Sequence, residues 1–515
     1  MQNLLAYLSD KFGVDLAKID PNESMRQVMA WYPNKRLYER TSSKSGKKIV
    51  SVYSENALCP VFSHDEWYSD DWSSPFLEID FNKPFFEQFK ELQKRAPVVS
   101  LLSNLQENAE YCHDCEGLKN CYLVFDALNC RDVYYSTRIY NSRDCVDVYW
   151  IMDSELIYDS VYLFNCYNVR FSFNCRQVSD SAFSYNCRNV QNSFMCSNLR
   201  NKQYCVNNEQ LTKEQYGKFM LDIDFRDYSK VLEMKKEFRE KIVARAPMSY
   251  AIMDNCENAS GNYLRNSAST LRCFESFDMK DAYNNFQCAM AKDMVGSFMC
   301  NDRVENCFQC VATGIASYEV KNCAFVWHSS FMEYCYLCLN SSNCFGCIGL
   351  KNKQYHIFNK PYSKEEYIER TAVLRDLMRK RGEYGKFFPM SLSPFPYEDT
   401  IAFDLFDDKE SDYFGRECEV GAGATNGEQS GSVQSCIISG KKFKYLSQEL
   451  DYYKKHFIAL PRVSPVLRYK QRMEIMDTSF TPKEILVGDE KVSVFFEHPE
   501  KKNIVTESEY EKSLV

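Results

Sequence analysis

The sequence predicts a mainly β protein, a duplicated right-handed β-solenoid with helical caps and small terminal modules. Three observations predict this fold: regularly spaced cysteines and asparagines, a repeat of a longer segment, and strand-forming residues between the polar positions. Of the 24 cysteines, 21 lie in the windows Cys112–Cys205 and Cys256–Cys347. A fixed repeat length is typical of stacked architectures, in which each repeat buries its inner face only against its neighbours.

The coil length comes from the spacing of the polar residues and cysteines. Identical or similar residues recur every 21 positions, which predicts about 21 residues per coil. Cysteine is small and usually buried, so it suits inward-facing columns; we predict these to be Cys145, Cys166, Cys187, Cys175, Cys196, Cys323 and Cys344. Asn and Asp tolerate the left-handed conformation of sharp corners, which predicts corners at Asp147, Asn168, Asn189, Asn301, Asn322 and Asn343.

A longer duplication sets the domain order. The segment Asn201–Tyr216 matches Asn352–Tyr367, and each copy ends in a helix-capping box. Residues 46–55 also resemble residues 488–497 near the other end of the chain. The predicted segments are a ribbon-like module with a lead-in helix (1–100), a first solenoid (101–211), a capping and connecting helix (212–248), a second solenoid (249–362), a capping helix (363–389), a linker (390–435) and a second ribbon-like module (436–515).

Several stretches carry a resemblance to a known family. They are Pro84–Leu92, Lys119–Tyr122, Asp254–Asn258, Cys344–Lys353 and Tyr362–Tyr367. On these stretches the chain resembles cysteine-rich proteins with flanking zinc ribbons, common in candidate-phyla-radiation (Patescibacteria) bacteria. The resemblance covers nearly the whole chain and implies architecture rather than activity.

The resemblance also implies where the ribbon ligands would stand. The matching positions are Ser42 and Ser45 near the start, and Cys436, Ser439, Ser464 and Leu467 near the end. Structural zinc needs four Cys or His ligands, and only Cys436 qualifies. We therefore expect terminal modules that keep a ribbon-like shape without zinc.

Remaining Cys-x-x-Cys pairs leave a metal site as an alternative to buried core thiols. The candidate ligands are Cys112, His113, Cys115, Cys335, Cys338, Cys344 and Cys347. Zinc would be the cofactor in that alternative; otherwise we expect none. Buried thiols would be unreactive, because burial disfavours the thiolate.

Composition excludes several functional classes. The net charge of −8 argues against nucleic acid as a partner, and no apolar stretch is long enough to span a membrane. The first residues lack the pattern of a secretory signal, so we expect a cytoplasmic protein. No nucleotide-binding or catalytic motif appears.

We therefore predict a non-enzymatic scaffold for self-assembly or protein binding. Two alternatives stay open: a metal- or thiol-binding protein, and a carbohydrate-binding or carbohydrate-active β-helix.

Overall fold

The structure is a computed structural model that describes residues 2–287, 295, 309, 311, 321, 324–407 and 433–515. It divides into two compact units, each built from two separate parts of the chain. The first unit comprises Met1–Leu101 with Ala251–Lys409, and the second comprises Leu102–Tyr250 with Glu410–Val515. The N-terminal segment is therefore grouped with the second solenoid, and the C-terminal segment with the first.

The N-terminal segment mixes short helices and strands. Its elements are α1 (Gln2–Phe12), α2 (Pro21–Met29), β1 (Tyr38–Thr41), β2 (Lys48–Ser51), β3 (Val61–Phe62), α3 (His64–Tyr68), α4 (Phe85–Gln93) and β4 (Val98–Val99). Strands β1 and β2 form an antiparallel hairpin. The predicted lead-in helix is α4, which buries Phe85, Phe89 and Leu92 on one face.

The first solenoid consists of parallel strands closed by one antiparallel pair. Its strands are β5 (Ser103–Asn104), β6 (Glu107–Glu110), β7 (His113–Glu116), β8 (Lys119–Tyr122), β9 (Phe125–Leu128), β10 (Arg131–Tyr134), β11 (Thr137–Tyr140), β12 (Arg143–Met152), β13 (Glu155–Phe164), β14 (Tyr167–Arg170), β15 (Phe173–Tyr185), β16 (Arg188–Ser197), β17 (Gln203–Val206) and β18 (Glu209–Gln210). Only β17 and β18 pair antiparallel. The predicted β-solenoid is confirmed.

The predicted coil length of 21 residues is wrong, because the coils repeat every 12 residues. Cys145 pairs with Ile157, which in turn pairs with Val169. The underlying unit is a triplet: Cys130 points inward, Arg131 is exposed, and Asp132 has a φ of 55°. A step of 21 residues is seven triplets, so it also joins inward residues to inward residues. However, it moves them to a different side of a coil that contains four triplets.

Small inward side chains fill the narrow interior and satisfy one another. The Ser154 hydroxyl donates to the carbonyl of Met152 at 2.8 Å and accepts the Cys166 N–H, one coil further, at 3.0 Å. The Cys130 thiol contacts the carbonyls of Leu128 and Ile139, each at 3.3 Å. Inward Ser and Cys therefore cost little, because their polar groups are hydrogen-bonded.

Amide ladders join the corners of successive coils. Asn120 Nδ2 donates to Asp132 Oδ1 at 3.0 Å, and Asn168 Nδ2 donates to Asp180 Oδ1 at 2.8 Å. All four residues have left-handed backbones. Hydrogen bonds thus join stacked corner residues with a step of 12 residues.

Two helices follow the first solenoid, where one was predicted. They are α5 (Lys213–Leu221) and α6 (Tyr228–Glu237), and α6 continues into a π turn at Phe238–Val243. The predicted capping box of Thr212 and Gln215 starts α5. Phe219 contacts Phe194 of the last full coil, with ring centroids 5.5 Å apart, so the helices cover apolar outer side chains of the solenoid.

The second solenoid follows the same rules in its described part. Its strands are β19 (Met253–Asp254), β20 (Glu257–Arg265), β21 (Ala268–Phe277), β22 (Lys280–Tyr283), β23 (Ala324–Trp327), β24 (Ser330–Glu333), β25 (Tyr336–Leu339), β26 (Ser342–Phe345), β27 (Gln354–Ile357) and β28 (Lys360–Pro361), and α7 (Lys364–Lys380) is the capping helix. The predicted capping box of Ser363 and Glu366 starts α7.

The predicted linker is partly packed. Among residues 390–407, the ring of Phe395 stacks on that of Tyr53, with centroids 4.9 Å apart. Residues 408–432 lie outside the described part. The C-terminal elements are β29 (Val433–Ser435), β30 (Lys442–Lys444), α8 (Ser447–Lys455), α9 (Pro465–Met476), β31 (Thr478–Val487), β32 (Glu490–Phe496) and α10 (Glu507–Ser513). Among the described helices, none combines the length and apolar character needed to cross a membrane.

Candidate functional site

The first predicted ligand group does not converge. Cys112 and Cys115 are inward residues of the first solenoid core. His113 is the second residue of its triplet, so its side chain does not point into the solenoid core with the thiols. It is buried outside that core, where its Nδ1 accepts the Leu102 N–H at 3.0 Å. Burial lowers the pKa of His113 to about 3, so the imidazole is neutral. The triplet geometry separates the histidine from the two thiols, so the three side chains do not come together in this structure.

The second predicted group does come together, but as a thiol core. Cys335, Cys338, Cys344 and Cys347 are all inward and fully buried. Burial raises the pKa of Cys338 and Cys347 well above the ordinary thiol value. Within the described ranges, no group of three or more His, Cys, Asp or Glu side chains could hold a metal ion. The geometry fits protonated packing groups better than thiolate ligands.

The described cysteines of the predicted columns are buried, but they do not form the columns that were predicted. Cys145, Cys166 and Cys187 lie in three different columns because 21 is not a multiple of 12. Cys175 and Cys187, twelve residues apart, share a column, and burial raises the pKa of Cys187 well above its usual value. Cys196 and Cys344 are also inward. Cys323 lies outside the described residues.

The predicted corner residues have the expected backbone where they are described. The φ angles are 57° for Asp147, 52° for Asn168, 53° for Asn189 and 51° for Asn343. Asn301 and Asn322 lie outside the described residues. Asp147 differs from the others because it is almost completely buried.

Asp147 is the centre of a buried charge cluster that joins the C-terminal segment to the first solenoid. Its carboxylate lies 3.0 Å from Arg468 Nε and 3.1 Å from Arg472 Nη1, and the Arg472 side chain is 1% exposed. Both arginines belong to α9. The neighbouring corner, Asp159, lies 3.8 Å from Arg472 and 3.2 Å from Lys235 of α6. These corners therefore hold two separate elements on one face of the solenoid.

A second carboxylate, from α8, also contributes to the contact between the C-terminal segment and the first solenoid. Glu449 of α8 accepts hydrogen bonds from the hydroxyls of Tyr135 and Tyr453. Burial raises the pKa of Glu449, although the Arg468 charge opposes the shift. The Arg468 guanidinium also lies over the Tyr135 ring, 5.1 Å from its centroid. The solenoid therefore holds α8 and α9 through aromatic and charged groups together.

A small cavity lies beside this cluster. Its volume is about 20 Å³, and its polar lining includes Asp159, Lys235, Arg468 and Gln471. Such a volume holds about one water molecule. The cavity fits a packing defect beside a salt-bridge network.

The first unit holds its terminal segment through aromatic side chains. The hydroxyls of Tyr53 and Tyr336 are 2.7 Å apart. The ring of Trp31 meets Tyr336 edge-on at 5.7 Å, and Phe85 of α4 stacks on Phe358 at 5.3 Å. Tyr336 and Phe358 are outer residues of the second solenoid. Both solenoids therefore bind a terminal segment on their outer surface.

Lys351 adds a charged contact to this aromatic surface. Its Nζ lies 5.0 Å from the ring centroid of Trp67, 5.7 Å from Tyr68 and 5.3 Å from Trp72. It also donates to the carbonyl of Trp67. Burial lowers the pKa of Lys351. The three rings surround an ammonium group supplied by the chain itself.

In each terminal segment, positions matched to ribbon ligands share a hydrogen-bonded loop. In the C-terminal segment, the Ser439 N–H points at the Cys436 sulfur at 3.5 Å. Burial opposes the effect, but hydrogen bonds from Ser439 and from the backbone at Ser464 lower the pKa of Cys436. Leu467 is the fourth matched position, and its side chain has no polar atom that could bind a metal.

The N-terminal knuckle has the same backbone pattern. The Gly46 N–H donates to the carbonyl of Ser42 at 2.9 Å, as the Gly440 N–H donates to the carbonyl of Cys436 at 2.8 Å. The loop is held by Glu66, which accepts hydrogen bonds from Ser42 and from the Ser63 N–H. Partial burial opposes it, but serine hydrogen bonds lower the pKa of Glu66 to about 2. A carboxylate and serines thus occupy the centre of this knuckle.

The residues that bind the terminal segments were not predicted from the sequence. Asp147 and Arg468 are 321 residues apart in the chain. One signal was available: in steps of 12, the two corner residues Asp147 and Asp159 stand between the aromatic residues Tyr135 and Phe171. That signal becomes visible only when the coil length is known. No family model matches the chain, and no curated protein matches it.

Proposed function

We propose that the protein is a non-enzymatic scaffold whose solenoids bind proteins, either further copies of this chain or another partner. The observation that carries the proposal is that each solenoid already binds a folded segment on its outer surface. The contacts are of the kind found at protein interfaces, with Tyr, Trp and Arg at their centres. Asp147 with Arg468, and Tyr336 with Trp31, are the two examples.

The first solenoid also presents a flat surface to solvent. We define its exposed column as the second triplet positions on that side: Lys119, Arg131, Arg143, Glu155, Tyr167, Ser179, Gln191 and Gln203. Consecutive members are paired strand residues, so they form a straight row. Tyr167 is 47% exposed within this otherwise polar row. A single exposed aromatic in a rigid polar surface favours recognition of another protein.

The terminal segments support a second part of the proposal. We propose that they are ribbon-like modules in which hydrogen bonds replace a metal. Glu66 with its serines does this at one end, and Cys436 with Ser439 at the other. Such modules would serve as built-in ligands of the solenoids. We also propose a cytoplasmic location, in which the buried cysteines of the described residues would stay reduced.

Site-specific cross-linking in cells tests the scaffold. A photoreactive phenylalanine analogue replaces Tyr167 in the full chain, and a matched chain carries it at Leu486, which is 75% exposed on the β31–β32 hairpin. The proposal predicts discrete cross-linked species from position 167 only, and mass spectrometry distinguishes a second copy from a partner. Absence of discrete species, or the same pattern from both positions, would contradict the proposal.

A further inference from the structure

Three successive coils of the first solenoid carry arginine at the same outer position. Arg176 pairs with Arg188 in neighbouring strands, and Arg188 pairs with Arg200. Neighbouring strands lie about 4.8 Å apart, so the side chains start from a row with that spacing. We name Arg176, Arg188 and Arg200 the arginine ladder.

Hydrogen bonds to the preceding coil fix two of these guanidinium groups. Arg188 donates to the carbonyl of Asn174 and, through Nη2, to Asn174 Oδ1 at 2.9 Å. Arg200 repeats the contact one coil later by donating to the carbonyl of Asn186. Because the same bond recurs with the same 14-residue offset, the two cations are held in register. A fixed cation loses little side-chain entropy when it binds a ligand.

The charges of Arg188 and Arg200 are not balanced by ion pairs in the described part of the chain. Their hydrogen-bond acceptors there are carbonyl and amide oxygens. In contrast, Arg143 of the exposed column lies 2.6 Å from Glu155. Burial, together with the charge of Arg188, lowers the pKa of Arg200. The two partly buried positive charges start from neighbouring strands about 4.8 Å apart, so they repel each other. An anion between them would relieve this repulsion.

We propose that the arginine ladder binds an oxyanion of the phosphate type across Arg188 and Arg200. The planar guanidinium groups offer forked donors that match tetrahedral oxyanions. The exposed amides of Asn189 and Asn201 follow the two arginines in the chain, and Asn189 donates to Asn201 at 2.7 Å. The proposal goes beyond the scaffold function because it assigns a ligand class to a defined surface.

Calorimetric titration of the full chain tests the site, with inorganic phosphate and tripolyphosphate as probes at about 50 mM salt to limit screening. Arg188→Gln and Arg200→Gln should each weaken binding at least about tenfold, since each removes a charge-assisted contact. Arg143→Gln is the matched control and should stay within about twofold, because its charge is paired with Glu155. Tighter binding of tripolyphosphate would identify a polyphosphate-type ligand, and equal binding a single phosphate group.

A second variant separates ligand binding from folding. Arg188→Lys keeps the charge but loses the fork, so it should bind more weakly than the unaltered chain and more tightly than Arg188→Gln. Thermal unfolding of each variant shows whether it is folded. No binding of either probe at about 10 mM would overturn the proposal, and so would an equal loss in Arg143→Gln.

Discussion

Replacing Asp147 with Asn removes one buried charge and leaves the shape of the corner intact. Asn is compatible with the left-handed backbone at this position, where φ is 57°. The change leaves Arg468 and Arg472 without the carboxylate that lies 3.0 and 3.1 Å from them. Because both arginine side chains are almost fully buried, water does not replace the lost partner.

The expected cost follows from the geometry of the ion pair. Removal of one partner from a buried salt bridge costs about 3–5 kcal/mol, because it leaves an uncompensated charge. Asp159, 3.8 Å from Arg472, compensates part of the loss and favours the lower end of this range. A loss of about 3 kcal/mol corresponds to a factor of about 150 in an opening equilibrium.

Native-state hydrogen exchange measures this opening directly. The backbone amides of α9 exchange when the helix leaves the solenoid, so Asp147→Asn should accelerate their exchange by about two orders of magnitude. Asp180→Asn is the matched control, because Asp180 is a corner with φ of 47° that accepts a hydrogen bond from Asn168 and lies at the same backbone geometry. A change in α9 exchange of less than about fivefold in Asp147→Asn, or one no larger than in Asp180→Asn, would contradict this role of Asp147.

Three further predictions concern the thiols and the knuckles. Cys130, whose pKa burial raises to about 12, should resist thiol reagents at pH 8 in the native state, whereas the partly exposed Cys256 should react before it. Mass mapping of early labelling would contradict this if Cys130 reacted before Cys256. Glu66 has a folded pKa of about 2, so its contribution to the stability of the N-terminal module should be complete above about pH 4.5 and decline as the pH falls towards 2. Glu66→Gln should abolish that pH dependence in thermal melts, and an unchanged profile would count against the carboxylate network. Cysteine at positions 42, 45, 63 and 66 together should bind one Co²⁺ or Zn²⁺ with a thiolate charge-transfer band; moving the first cysteine from 42 to 43 should prevent it, and equal binding by both chains would refute the ribbon-like geometry.

The sequence predicted the solenoid because its local rules are visible residue by residue. Asn168 and Asn189 are corners, and Cys145 is inward, as their chemistry suggests. The coil length could not be read in the same way. Triplets repeat throughout, so any multiple of three aligns similar residues, and 21 was favoured by the chance positions of three cysteines. The coil length of 12 residues becomes clear from strand pairing, such as that of Cys145 with Ile157.

The contacts of the terminal segments could not be predicted from the sequence, for a different reason. Arg468 and Arg472 resemble solvated residues of an amphipathic helix, and Asp147 resembles any other corner. Their pairing depends on how α9 lies against the solenoid, which no local pattern encodes. Cys112, His113 and Cys115 do not come together because the Cys-x-x-Cys spacing also equals one triplet, which places both thiols in the core.

Sedimentation velocity of the full chain, purified and in gentle lysate of its native cells, tests the scaffold most directly. We expect a discrete particle: several copies of the 60.3 kDa chain, or a stoichiometric complex with one partner. A lone monomer under both conditions would contradict it.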